Sequence, residues 1–247
     1  MASSPVISIK AEPLFRLGEL VVTNSLFLSW ITALLLIAAG LVLWLSLKPV
    51  PGFLQNFFEL VLEKTLEFMD TIIGNRRQSE KYLPIVLTIF LFVLTANWLG
   101  LMPGVGSVGL REHGHLVPLL RAPTADLNFT IALAVISLIF INIAGLVALG
   151  WKRHMSRFFN FSNPVMSFVG FLELVSEFVK IVSFSFRLFG NVFAGEVLLV
   201  IIGFLVPYVV PLPFLLMEFF VGIVQAFIFA MLTLVFIALA VSHEEAH

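Results

Sequence analysis

Residues 164–206 read PVMSFVGFLELVSEFVKIVSFSFRLFGNVFAGEVLLVIIGFLV. After Pro164 no proline interrupts the run until Pro207, so nothing local breaks a helix. At about 1.5 Å per residue, a helix of about 40 residues reaches about 60 Å, twice the hydrocarbon core of a bilayer. The stretch is mostly apolar, yet it carries Glu173, Glu177, Lys180, Arg187, Asn191 and Glu196. It therefore predicts one long, tilted membrane helix with a polar stripe, not an upright lipid-facing one. Projected at about 100° per residue from Arg187, Lys180 falls about 20° away, and Glu173 and Asn191 about 40°. Ser176 and Ser183 fall within about 40° on the other side, Glu177 about 80° off, and Glu196 about 180° away on the opposite face.

The rest of the chain fits a membrane setting. Of 247 residues, 60% are apolar and 12% charged, against roughly 25% charged in soluble domains; mean hydropathy is +1.08. The net charge of −1 excludes a nucleic-acid binder built on a basic surface. The absence of Cys excludes disulfide frameworks, iron–sulfur clusters and Cys-ligated zinc. The first twenty residues contain Lys10, Glu12, Arg16 and Glu19 without a compact apolar core, so no cleavable signal peptide is expected.

The expected fold class is an all-α integral membrane protein, one domain over 1–247. An N-terminal segment, 1–24, precedes membrane helices at 25–47, 82–102, 127–150, 165–206 and 214–241. Residues 53–73 mix Glu59, Glu63, Lys64, Glu67 and Asp70 with Phe57, Leu60, Val61, Leu66 and Phe68, which predicts an amphipathic surface helix. Pro103-Gly104 ends one span, and the stretch from there to Pro123, with Arg111, His113, His115 and Arg121, reads as a loop. Asp126 sits at a helix N-cap position, and Pro207, Pro211 and Pro213 form a turn. Lys48, Lys64, Arg76, Arg77 and Lys81 lie between the first two spans, and Lys152, Arg153 and Arg157 follow the third. By the positive-inside rule both stretches are cytoplasmic.

Ionisable groups inside a bilayer are expensive and mark ion or proton pathways by default. Glu218 and Gln225, nearly two turns apart, share a face of the last helix. With the orientation above, Glu173, Ser176, Glu177 and Lys180 lie toward the cytoplasm, and Asn191, Glu196 and Glu218 toward the outside. Arg187 and Gln225 fall between. Two polar sets, each reaching in from one side and separated by an arginine, read as two blind half-channels. The plain alternative is ion pairing that only packs the bundle, and it fits Glu173 or Glu177 with Lys180. It fits Arg187 poorly, because no acid stands at i±3 or i±4.

The segment Ser183-Phe-Ser-Phe-Arg187-Leu-Phe-Gly190-Asn191-Val-Phe-Ala-Gly195-Glu196 resembles the signature of subunit a of F-type ATP synthases, of bacterial or chloroplast type. Asn97-Trp98, Ala122-Pro-Thr-Ala-Asp126-Leu-Asn128-Phe-Thr130 and Gln225-Ala-Phe-Ile-Phe229 resemble other family stretches in the expected order. The resemblance implies a proton-channel stator of the membrane sector, beside a rotating ring of c subunits. It implies that Arg187 faces the ring carboxylates, that Asn191, Glu196 and Glu218 serve an outer half-channel, and that Gln225 positions Arg187. Glu173, Ser176, Glu177 and Lys180 would line the inner one. Some family members carry His at the position of Glu218. The implied partners are the c-subunit ring, the peripheral-stalk b subunits, the lipid bilayer and, indirectly, the catalytic head. The implied location is the inner membrane of a bacterium, with the thylakoid membrane second. The chain carries no nucleotide motif, so it is read as a non-catalytic subunit without a cofactor.

Other signals are weaker. His243-Glu244-Glu245-Ala246-His247 matches a zinc-protease pattern but occupies the last five residues, where no third ligand follows. His113-Gly-His115 has too few companions for a metal site, and Asn128-Phe-Thr130, a glycosylation pattern, begins a membrane helix. Gly190 and Gly195 read as close-packing positions. An autonomous secondary transporter or ion channel is the alternative function. It calls for a solute site at broken helices or related halves, and neither is evident.

Overall fold

Thr23 opens the first membrane helix: its Oγ1 accepts from the Leu26 amide, and helix α1 runs Asn24–Leu45. The computed structural model describes residues 11–102, 109–112, 115–156, 164–207 and 209–242. Expectations that fall on Lys10, Pro103, His113, Arg157 and residues 243–247 lie outside the described residues. Ahead of α1, strands β1 (Pro13–Leu17) and β2 (Leu20–Thr23) form an antiparallel hairpin that turns at Gly18, φ 65°. The sequence reading had no strand there, because four or five residues are too few for alternation to register.

Helix α2, Phe53–Ile73, ends in the left-handed region at Gly74, φ 77°. Asn75 then caps α3, Arg76–Gly100, by accepting from the Arg77 amide at 3.0 Å. The cap explains why α3 starts ahead of the apolar run at 82: its first turn is charged. Arg76 holds Asp70 of α2 at 2.9 Å and Glu80 at 3.2 Å. The Ser79 hydroxyl and the Arg76 guanidinium keep the Asp70 carboxyl below the usual carboxylate range. Pro84 lies inside α3, where membrane helices tolerate it.

A second antiparallel hairpin, β3 (Gly109–Glu112) and β4 (His115–Pro118), occupies what the sequence reads as loop. A 3-10 turn, Pro123–Ala125, leads to Asp126, which caps α4, Leu127–Leu149, from the Asn128 amide at 3.0 Å. Asp126 also accepts from Ser25 Oγ at 2.7 Å, tying the starts of α1 and α4 together. A short α5, Trp151–Ser156, follows Gly150. Helix α6, Pro164–Leu205, has 42 residues and α7, Pro211–Ser242, has 32. Pro211 and Pro213, read from sequence as part of a turn, form the first turn of α7, where a missing N–H costs nothing.

Among the described residues five helices are long and apolar enough to cross a membrane: α1, α3, α4, α6 and α7. The protein is an all-α, multi-pass membrane protein with two small hairpins. Helix α2 is not among the five, since its charged residues keep it too polar. The core lies where α3, α4, α6 and α7 meet, around Val93, Leu188, Leu234 and Ile237. Hydroxyls within the spans bond back to their own helix: Thr32 to Leu28, Ser137 to Leu133, Thr233 to Phe229. These three hydroxyls need no water.

Candidate functional site

Asn97 organises one end of the bundle. Its Nδ2 donates to the Gly222 carbonyl of α7 at 3.1 Å, and its Oδ1 accepts from Thr124 Oγ1 at 2.6 Å. Gly222 leaves room for this contact, since a Cβ there would sit 3.2 Å from the Asn97 side chain. Trp98 stacks on Phe219 with ring centroids 4.3 Å apart. This bracing holds open a cavity of about 250 Å³ bordered by Asn97, Arg121, Glu196, Glu218 and Gly222. A cavity of that size, with Arg121, Glu196, Glu218 and Asn97 at its border, has room for several waters.

Glu218 is 6% exposed. It reaches its place because Gly195 of α6 has no side chain: a Cβ there would overlap the Glu218 carboxyl. Among the described residues Glu218 forms no ion pair. Glu196 differs. Arg121, just ahead of the 3-10 turn and 6% exposed, donates to Glu196 Oε2 from Nη2 at 3.2 Å and from Nε at 3.3 Å. It also lies over the Phe193 ring at 6.0 Å. No Lys or Arg stands within four residues of Glu196 or Glu218, so helix spacing alone does not reveal Arg121 as a partner. Its signal was its place directly before the Ala122–Thr130 stretch.

Gly195→Ala is expected to drive the Glu218 carboxyl out of its seat and part α6 from α7. The cost is about 1–3 kcal/mol, as for overpacking elsewhere. A lower dissociation temperature of the purified assembly is the reading expected, and an unchanged temperature would contradict the tight seat. Gly190, by contrast, faces open space.

Arg187 projects from the exposed face of α6, beside Phe186 at 53% exposure and between Val182 and Asn191, which are also exposed. Its Nη2 donates to Ser183 Oγ at 3.2 Å. No acid is paired with it among the described residues. Gln225, 8% exposed, does not bond Arg187 here; the two border one narrow gap of about 10 Å³ with Phe184, Leu188 and Phe229. That gap has room for one water at most.

Toward the start of α6, Lys180 Nζ binds Glu177 Oε1 at 2.6 Å and lies 4.7 Å from the Phe236 ring centroid. Asn142 of α4 donates to Glu177 Oε2 at 3.3 Å, and His154 of α5 meets Asn142 Oδ1 at 3.3 Å. Glu173 is partly buried and Ser176 exposed on the same stretch. In the sequence, Trp151-Lys152-Arg153-His154 reads as a membrane-interface stretch, which assigns His154 no role in a site.

Helix α4 acts as a ruler. Arg121, ahead of its start, holds Glu196; His154, beyond its end, reaches toward Glu177. The 23 residues of α4 span about 35 Å, close to a bilayer core. The two polar clusters therefore lie at opposite ends of one crossing, with Arg187 between them on α6.

A family model described as ATP synthase A chain matches residues 26–238. The chain is 32% identical over 230 residues to ATP synthase subunit a of Moorella thermoacetica, covering 93% of this chain and 96% of that one. It is 33% identical over 217 residues to the Campylobacter jejuni protein of that name, covering 88% and 89%. It is 34% identical over 242 residues to that of Mycobacterium bovis, covering 94% and 92%.

Proposed function

The chain belongs to the ATP synthase subunit a family, making it a membrane-sector subunit of an ATP synthase, and from that premise we propose that it is the stator which feeds protons to a ring of c subunits through two offset half-channels. The observation that carries this reading is the setting of Arg187. A guanidinium stays charged under essentially all conditions, and this one stands on the exposed face of a membrane helix with only a hydroxyl for company. Left against lipid it would be costly. A ring carboxylate passing that face supplies the missing counter-charge.

The chemistry follows from electrostatics. Opposite Arg187 the ring carboxylate is favoured as the anion and releases its proton. Beyond it, against lipid, the same group must be protonated. Protons enter through the cavity bordered by Glu196 and Glu218, aided by Asn191, ride the ring, and leave past Lys180, Glu177, Ser176 and Glu173. Arg187 and the tight gap it shares with Gln225 stop direct hopping between the two sides. Gln225 lies close enough to hold Arg187 through a small rearrangement when the ring is present. The membrane is the cytoplasmic membrane of a bacterium, with the end of α4 at Leu149 inside. The peripheral-stalk b subunits hold the chain against the ring's motion, and the catalytic head does the nucleotide chemistry.

Native electrophoresis of solubilised membranes tests this directly. The chain is expected to migrate with an oligomeric c ring. Recovery as a homo-oligomer free of any ring would instead make it an autonomous channel or transporter.

A further inference from the structure

Asn142 lies within a membrane helix and spends its whole amide. Its Nδ2 donates to the Leu138 carbonyl at 3.0 Å and to Glu177 Oε2 at 3.3 Å. With both donors committed, its Oδ1 can only accept. The group facing that oxygen is His154 Nε2, at 3.3 Å, so this nitrogen carries a proton and donates it to the bond. The donors then run one way, from His154 to Asn142 to Glu177. The second oxygen of Glu177 takes the Lys180 ammonium at 2.6 Å. The carboxylate is thus gripped from both sides, by α6 itself and by a chain of bonds from α5 through α4.

The packing around His154 is fitted to this chain. The residue is 3% exposed although it follows the end of α4 in a short helix. Gly145 makes the space: a Cβ there would stand 3.1 Å from the imidazole Cε1 and 3.3 Å from the Ala240 side chain. A histidine serving only as a solvated interface group would need neither the glycine nor the alanine.

We propose that His154 is a positioning residue for proton exit, holding Asn142 so that the Glu177 carboxylate is aimed into the path between Arg187 and the cytoplasmic side. This rests on the inner half-channel assigned to Glu177 above. Without His154, the Asn142 amide can turn away, and Glu177 keeps only the flexible Lys180 ammonium.

The test uses the complete synthase reconstituted in vesicles, with ATP-driven proton uptake followed by a pH-sensitive dye. A lost hydrogen bond in a chain ending on a charged group corresponds to roughly a tenfold loss of rate, and that loss is expected for His154→Ala. His154→Gln, whose amide N–H reaches to about the place of the imidazole Nε2, is expected to restore most of it. Asn142→Leu, equal in shape but unable to relay, should lose as much as His154→Ala, and the pair together no more than either alone. In a Glu177→Gln background, His154→Ala should cost little further.

Rates for His154→Ala equal to those of the parent, with Glu177→Gln slowed, would overturn the role of His154 and leave the inner half-channel standing. Equal rates for Glu177→Gln would remove that half-channel assignment and the proposal with it. A His154→Gln variant as slow as His154→Ala would show bulk packing, not positioning, and also overturn it. Should His154→Ala fail to assemble, Asn142→Leu and His154→Gln decide the matter by the same readings.

Discussion

Arg187→Ala is expected to cut proton-driven ATP synthesis by a factor on the order of a hundred or more, while the subunit still inserts and assembles. The size follows from removing a fixed charge from a site of low dielectric, where such groups are worth about a hundredfold or more in rate. Assembly survives because the side chain is exposed and leans only on Ser183, so its loss opens no core cavity. Arg187→Lys is expected to fail nearly as badly. A lysine ammonium has a different reach and loses its proton when desolvated, whereas guanidinium does not. Inverted vesicles carrying each variant, assayed for ATP synthesis under an imposed gradient, provide the measurement. The potential available is about 2.3 kcal/mol per charge per 100 mV, so wasted protons are visible at once: the Ala variant should also leak. Near-normal synthesis by Arg187→Ala would refute the central assignment.

Glu218→Gln is expected to give the second large effect, slowing proton flux by roughly ten- to a hundredfold and altering its dependence on pH, as when a positioned proton-transfer group is lost. Glu218 borders the cavity, is seated against Gly195 and has no ion-pair partner among the described residues. With no cation to hold it ionised, it takes and passes protons on the proposed reading. Glu196→Gln is expected to slow flux as well, but through a different balance. It strips Arg121, a buried guanidinium, of the Glu196 carboxylate. Its variant should therefore lose assembly stability as well as flux, and Glu218→Gln should not. The double variant should lose less than the sum of the single losses in log rate, since both groups border one cavity. Proton uptake by reconstituted vesicles across a pH series separates these outcomes. Unchanged profiles in both single variants would remove the two acids from the pathway.

The fold was readable where single residues carry strong local rules. Five apolar runs, a charged amphipathic helix over 53–73 and the Asp126 cap follow from length, composition and capping chemistry. The helix starts at Arg76 and Pro211 were less visible. Asn75 caps a turn made of charged residues, and two prolines that look like a break are tolerated at a helix start. Neither hairpin was visible, because β1 to β4 each have only four or five residues.

At the site, the residue types were legible and their pairings were not. Glu196, Glu218, Arg187 and Gln225 stand out because polar groups in apolar helices are costly. Arg121 and His154 do not, because each lies outside the membrane runs and joins the site only through tertiary packing. Asn142 was overlooked as one amide among apolar neighbours. The glycines gave partial notice: Gly195 was read as a packing position, but only the fold shows that what packs there is a carboxylate.

The Asn97 bond to Gly222 also bears on how the protein is made. Its ends stand 125 residues apart, so a chain emerging from the ribosome inserts α3 long before α7 exists. Thr124 is available earlier and can occupy the Asn97 oxygen. The Asn97 N–H groups must wait for the last helix, unsatisfied or in transient company, at a cost of about 1–3 kcal/mol. The cavity bordered by Asn97, Glu218 and Gly222 is therefore completed only when α7 packs. Until α7 arrives, the nascent protein lacks the Gly222 carbonyl and Glu218 at this end, and its half-made state displays an open polar amide. On the proposed reading, biosynthesis thus protects the gradient: the outer half-channel is completed only once α7 has been delivered.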